Sequence, residues 1–346
     1  MAWHIACARP SMAAIANAAA GVMAALDSEL RARADPFAPS PTAVRVALLE
    51  AVRAEAARLK AQRAQLKERA AALIPPGARV MTTSYSSTVL VALAAAAADG
   101  RLGAVVCCES RPLCEGVALA RALAAAGARD VTVITDAQAA AFLGSVDLVL
   151  LGADALSEAG AVNKVGSRLI ALAAREEGIP VYACCDSGKI SIGGPVEQLV
   201  GLGLGSGGGG GGGSIASSGG GVVGSTGVAG GRNQGGAEEH EEKGEDEVTQ
   251  GWPAQLRAAA AVGGGVTGGG KGAGAGGGIE VRNVYFEAVP LPLLTGGVVT
   301  DQGVVAEDDI RAAVASRRRQ YLRAFDLATL EHPPRPDVKS GGLGVA

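Results

Sequence analysis

From Ala78 onward, short apolar runs alternate with segments of helical period. The runs Arg79–Thr83, Gly103–Cys108, Asp130–Thr135, Asp147–Leu151 and Pro180–Cys185 read as strands buried on both faces. Between them Ser87–Ala98, Gly116–Ala126, Ala137–Leu143 and Val165–Glu177 read as helices. That alternation predicts an α/β fold with a doubly wound, Rossmann-like parallel sheet. Ahead of it the period is helical throughout. Ser11–Arg33 carries Ile15, Ala18, Ala19, Val22, Met23 and Leu26 at helical spacing. Thr42–Leu73 carries a second face from Val44 to Leu73, and Asp35-Pro-Phe-Ala-Pro-Ser-Pro41 separates the two. After the sheet segments, Ile279–Pro290 and Gly296–Thr300 are strand-like and Glu307–Phe325 is helical.

Composition divides the chain further. Of 346 residues, 52 are glycine, and the excess lies between Gly201 and Gly278 together with an acidic block, Glu238–Glu247. So little apolar surface cannot offset chain entropy, which predicts a disordered insertion. The expected organisation is a helical amino-terminal domain over 1–75, a Rossmann-like domain over 76–330 interrupted by 201–278, and a flexible tail over 331–346.

Net charge is −3, so nothing points to a nucleic-acid surface, and no apolar run has transmembrane length. Asp27, Glu29 and the helical pattern favour a structural helix near the amino terminus over a transit peptide. Cys7, Cys107, Cys108, Cys114, Cys184 and Cys185 form no CxxC pair. Adjacent cysteines on a strand point to opposite faces, so they read as reduced core residues and not as metal ligands. No GxGxxG follows a strand, and no cofactor is expected.

The candidate chemistry lies where a parallel sheet gathers its strand ends. Val80–Leu90 runs from a strand through a hydroxyl-rich turn, Thr82 to Thr88, into a helix. Ligands bind at such ends. The second strand brings Glu109 and Arg111, the third Asp136, the fourth Gly152 to Asp154 with Asn163 and Lys164 beyond, and the fifth Asp186 and Lys189. Helix starts beside Arg111 and Lys164 suit an anionic ligand such as a phosphate. Asp154, at the end of an apolar strand, suits an acid or base. The plainer reading makes Arg111 and Asp154 structural pairs and turn caps.

On these residues the chain resembles the alpha, beta and delta regulatory subunits of eukaryotic translation initiation factor 2B and their sugar-phosphate isomerase relatives. The matching pieces are TTSYSSTVL at Thr82–Leu90, CESRPLCEG at Cys108–Gly116, VDLVLLGADAL at Val146–Leu156 and VNKVGSRLIALAAREEGIPVYAC at Val162–Cys184. NVYFEAVPLPLLTGGVVTDQGV at Asn283–Val304 completes the set. The resemblance covers Ser11 to about Asp326, and the glycine insertion has no counterpart in it. It implies the helical-plus-Rossmann-like fold and oligomers formed through the α/β domain. It also implies a ligand pocket formed by Ser84, Arg111, Glu115, Asp154, Asn163 and Lys164.

The isomerases of methylthioribose 1-phosphate and ribose 1,5-bisphosphate carry a catalytic Cys and Asp, which correspond to Ser84 and Asp154 here. A serine hydroxyl needs an activating base, and the three histidines, His4, His240 and His332, lie outside the α/β segments. The family's RPxxQG reads RPLCEG, with Glu115 in place of the amide. The spacing from Asp154 to Asn163 is one residue shorter than the family's. The resemblance therefore implies a non-catalytic initiation factor 2B-like regulatory subunit. Such a subunit would be cytoplasmic, would assemble with other such subunits and with initiation factor 2, and could retain a sugar-phosphate pocket. The alternatives are an isomerase using Asp154 and a metabolite-binding relative with no role in translation.

Overall fold

Five mostly apolar parallel strands form one contiguous side of a seven-stranded sheet, out to one of its edges. The computed structural model describes residues 13–32, 40–192, 244, 246–257 and 281–324. Strands β1 (Ala78–Thr83), β2 (Leu102–Cys108), β3 (Val131–Ile134), β4 (Leu148–Gly152) and β7 (Val181–Cys184) pair in parallel. β9 (Gly297–Thr300) extends the parallel set, and β10 (Gly303–Val305) closes the edge antiparallel to β9. The order is β10-β9-β7-β4-β1-β2-β3. The chain therefore leaves β1 towards one edge and returns at β4 to build the other, as a doubly wound sheet does.

Side-chain alternation assigns the two faces. Val80, Val105, Cys107, Leu148, Leu150 and Cys184 enter one core, with Leu66, Ala70, Val89, Leu93, Leu119 and Leu123 from α2 (Pro41–Ala72), α3 (Ser87–Ala98) and α4 (Glu115–Ala125). Met81, Val106, Cys108, Val149, Leu151 and Cys185 enter the other, with Leu143 of α5 (Ala139–Leu143), Ile170 and Ala174 of α6 (Ser167–Glu176), and Ile310 and Val314 of α8 (Glu307–Ala324). Each adjacent cysteine pair is thus split between the cores. Burial pushes the Cys107, Cys108 and Cys184 thiols up to about 12, and raises Cys185 as well.

The helical part precedes the sheet. α1 (Ala13–Ala32) packs on α2, on α8 and on the turn Ser187–Lys189. Ser40 caps α2 by accepting from Ala43 N at 3.2 Å, with Pro41 in the first turn. No helix among the described residues is long and apolar enough to cross a membrane.

Three features depart from the sequence reading. Residues 160–164, just ahead of α6, form strand β6 (Gly160–Lys164), which folds back on β5 (Ala155–Ser157). β8 (Phe286–Val289), within the strand-like run 279–290, pairs with β6 and not with the main sheet. Inside the glycine-rich segment, Asp246–Thr249 forms a short helix, α7. There Asn283 and Tyr285 donate to the Glu247 carboxylate, giving that part of the acidic block partners that composition does not reveal. The expected cap Ser11, the proline-rich break before Ser40, residues 193–243 and 258–280, and the tail lie outside the described residues.

Candidate functional site

The candidate cleft opens between β1 and β4, where the winding of the sheet reverses. Three local devices shape it. Ser84 leaves β1 with φ of 62°, a left-handed conformation costly for a residue with a Cβ, and this turns the chain sharply. Ser86 then caps α3, its Oγ accepting from Val89 N at 3.4 Å. Gly152 ends β4 beside that cap, where a Cβ would lie 2.7 Å from Ser86 Cβ. Only a residue without a side chain lets the two turns approach so closely. The resulting cavity is about 110 Å³, with Ser84, Tyr85, Ser86, Asp154, Asn163 and Lys189 in its walls.

The β5–β6 hairpin brings Asn163 and Lys164 back to Asp154, and Asp154 N donates to Val162 O at 2.8 Å. The tight hairpin thereby keeps Asn163 on the cleft wall. Asn163 Nδ2 donates to Ser167 Oγ at 2.8 Å, and that hydroxyl donates to Lys164 O at 2.7 Å.

Lys164 is buried, and its ammonium lies 2.6 Å from Glu115 Oε2 and 4.0 Å from the centre of the Tyr285 ring. Ser84 Oγ donates to the same Glu115 oxygen at 3.3 Å. The Glu115 carboxylate is thus neutralised by an internal cation, and its hydroxyl neighbour serves it as a donor. Lys189 Nζ donates to Ala153 O at 2.8 Å on the opposite wall.

Asp154 is open to solvent from the cleft, yet the protein around its carboxyl desolvates the ionised form. That desolvation raises its pKa above the ordinary 3.8 against the lowering influence of Lys189 and Lys164, and Glu115 raises it further. Among the described residues its side chain has no hydrogen-bond partner, so the carboxyl can exchange a proton with a bound molecule.

Of the six residues singled out by sequence, Ser84, Asp154 and Asn163 line the cleft, and Glu115 and Lys164 join it through Ser84. Arg111 does not line it. Asp136 accepts the Ser110 and Arg111 backbone N–H groups, both at 2.8 Å, which fixes the turn. The Arg111 guanidinium points instead to Val248 O, at 3.0 Å. Lys189, placed on the sheet edge by sequence, supplies the cleft's cation instead. Tyr285 was not singled out. Its signal was its place in the Asn283–Val304 stretch, which also supplies Glu287, whose carboxylate accepts from Gly166 N and Arg168 N at 2.7 and 2.9 Å and caps α6.

Residues 2–201, more than half of the chain, match the initiation factor 2 subunit family. A putative translation initiation factor eIF-2B subunit 2-like protein of Pyrococcus horikoshii is 37% identical over 133 residues, 38% of this chain and 48% of that protein. A ribose 1,5-bisphosphate isomerase of Archaeoglobus fulgidus is 37% identical over 119 residues, 34% of this chain and 38% of the isomerase. The matched stretches thus span about half or less of these relatives. Among solved structures, the translation initiation factor eIF-2B of Pyrococcus horikoshii OT3 superposes with a TM-score of 0.54 at 24% identity. That match covers 87% of this chain and 78% of the other, and at such identity it supports the fold. On the family match over residues 2–201, the chain belongs to the initiation factor 2 subunit family.

Proposed function

We propose that this chain is a non-catalytic, regulatory-type member of the family, working in assembly with other initiation factor 2B-type subunits and in recognition of initiation factor 2. The reading rests on Ser84. It stands where the isomerase relatives carry a catalytic thiol, and its hydroxyl donates to a carboxylate already paired with Lys164. A hydroxyl so placed has no base of sufficient strength beside it, since no histidine occurs between residues 76 and 192. Lys189 and the N-terminus of α3 leave the cleft able to hold an anionic ligand, for which a sugar phosphate is the natural class. The place of work is the cytoplasm.

A second reading, a sugar-phosphate isomerase, is favoured by the unpartnered Asp154 carboxyl, whose pKa burial raises. One experiment separates the two. Purified protein is incubated with ribose 1,5-bisphosphate or methylthioribose 1-phosphate and ketose formation is followed. No turnover is expected, and turnover abolished by Asp154→Asn would overturn the non-catalytic reading. Affinity capture from lysate is expected to retain other initiation factor 2B-type subunits, and their absence would count against the role in translation.

A further inference from the structure

The turn Ser187–Lys189, just after β7, faces two ways. Towards the cleft it presents Lys189, whose ammonium is held by Ala153 O at 2.8 Å. Away from the cleft it is gripped by side chains from outside the sheet. Asn17 of α1, only 1% exposed, donates both amide hydrogens, to Gly188 O at 2.6 Å and to Ile190 O at 2.9 Å. Gln62 of α2 donates to Ser187 Oγ at 2.8 Å, and Arg317 of α8 donates to Ser187 O at 2.9 Å. Asp301, between β9 and β10, accepts the Ser187 N–H at 2.7 Å and its hydroxyl at 3.0 Å. Arg69 of α2 in turn holds Asp301 O at 3.0 Å.

Few of the turn's bonds are its own. Within it, Lys189 N donates to Asp186 O at 2.9 Å, and the partners of Ser187 and Gly188 named above are brought by three helices and a distant turn. Asn17 is fully committed to this task, because its Oδ1 accepts from the Tyr321 hydroxyl of α8. It is also the odd residue in an otherwise apolar stretch, Ala13-Ala-Ile-Ala-Asn-Ala-Ala-Ala20. Packing alone would be served by alanine. A buried amide that meets all its hydrogen bonds specifies one seating of α1 against the turn.

We infer that the Ser187–Lys189 turn couples the seating of the helical layer to the position of the cleft lysine, with Asn17 as the positioning residue. A partner that engages α1 or α2 thereby changes the charge presented in the cleft. By linkage, an anion bound in the cleft changes the seating of those helices by the same free energy. The coupling holds whether or not the cleft performs chemistry, so it stands apart from the functional reading above.

Asp154 reports the lysine's position without any ligand. The charged groups that act on its carboxyl are Lys189, Lys164 and Glu115, and Asn17 bonds to none of the elements that carry the last two. The experiment is a carbon-13 NMR titration of the Asp154 carboxyl, assigned by loss of its signal in Asp154→Asn. In Lys189→Met the midpoint is expected to move up, because a cation that favours the carboxylate is gone. In Asn17→Ala it is expected to move up as well, by a smaller amount. An Asn17→Ala midpoint identical to that of the unmodified protein would overturn the inference, as would an unmoved midpoint in Lys189→Met. Should Asn17→Ala fail to fold, Tyr321→Phe keeps the packing and removes only the donor to Asn17 Oδ1. An upward shift there supports the coupling, and an unchanged midpoint refutes it.

Discussion

Exchange of Glu115 for glutamine removes its charge while keeping its shape, and tests how this chain accommodates that charge. In the folded protein the Lys164 side chain is 5% exposed and that of Glu115 32%. Removing one partner of a fully buried pair costs about 3–5 kcal/mol, because the remaining charge cannot rehydrate. Here three things reduce that. Glu115 keeps part of its hydration, glutamine still offers an acceptor to the ammonium, and the Tyr285 ring beneath Lys164 retains an attraction of roughly 1–2 kcal/mol. Glu115→Gln is therefore expected to cost about 1–2 kcal/mol. Lys164→Met, which strands a carboxylate beside Ser84, is expected to cost about 2–3 kcal/mol. The double variant removes both charges and should cost less than the sum, with a coupling of at least about 1 kcal/mol. The assay is urea unfolding of all four proteins, read as shifts in midpoint at constant slope. Costs that add to within about 0.5 kcal/mol would refute the pairing as the means by which the site tolerates Glu115.

Two further predictions concern titration. Burial raises the Cys107, Cys108 and Cys184 thiols from 9.0 to about 12, so the native state binds their protons more tightly than the unfolded chain. The stability from these neutral thiols is complete below pH 9.0 and is expected to fall as pH rises from there towards about 12, measured by urea midpoints across that range. In the same proteins a thiol reagent should modify partly exposed Cys114 in the native state, but Cys107, Cys108, Cys184 and Cys185 only on unfolding. Asp154→Asn is expected to be more stable than the unmodified protein near neutrality. The raised pKa means that ionisation disfavours the folded state, a loss that develops as pH rises above 3.8 and is absent below it. Thermal unfolding of both proteins across that range measures it, and an advantage that persists below pH 3.8 would refute the electrostatic explanation.

The layered fold was legible in the sequence because its signals are local. Val80 and Met81, or Cys107 and Cys108, reach opposite cores as a direct consequence of the two-residue period of a strand. Ser86 and Ser40 cap helices because a hydroxyl beside free N–H groups is stabilising wherever the chain goes afterwards. The convergence of Ser84 and Asp154 on one edge followed from the parallel sheet, whereas Asn163 reaches it through the antiparallel β5–β6 hairpin. The charge partners were not legible, since they depend on distances of a few ångströms between segments far apart in sequence. Arg111 and Lys189 both lie just beyond strand ends, yet one points to Val248 and the other into the cleft. The β6–β8 pairing places Tyr285 beneath Lys164 across more than a hundred residues. Sequence by itself determined which residues could face a ligand and that a hydroxyl stands at position 84. Only tertiary structure decided that Glu115 is neutralised by Lys164 and that Asn17 holds the turn carrying Lys189, because both contacts exist only once the sheet and its helices have closed.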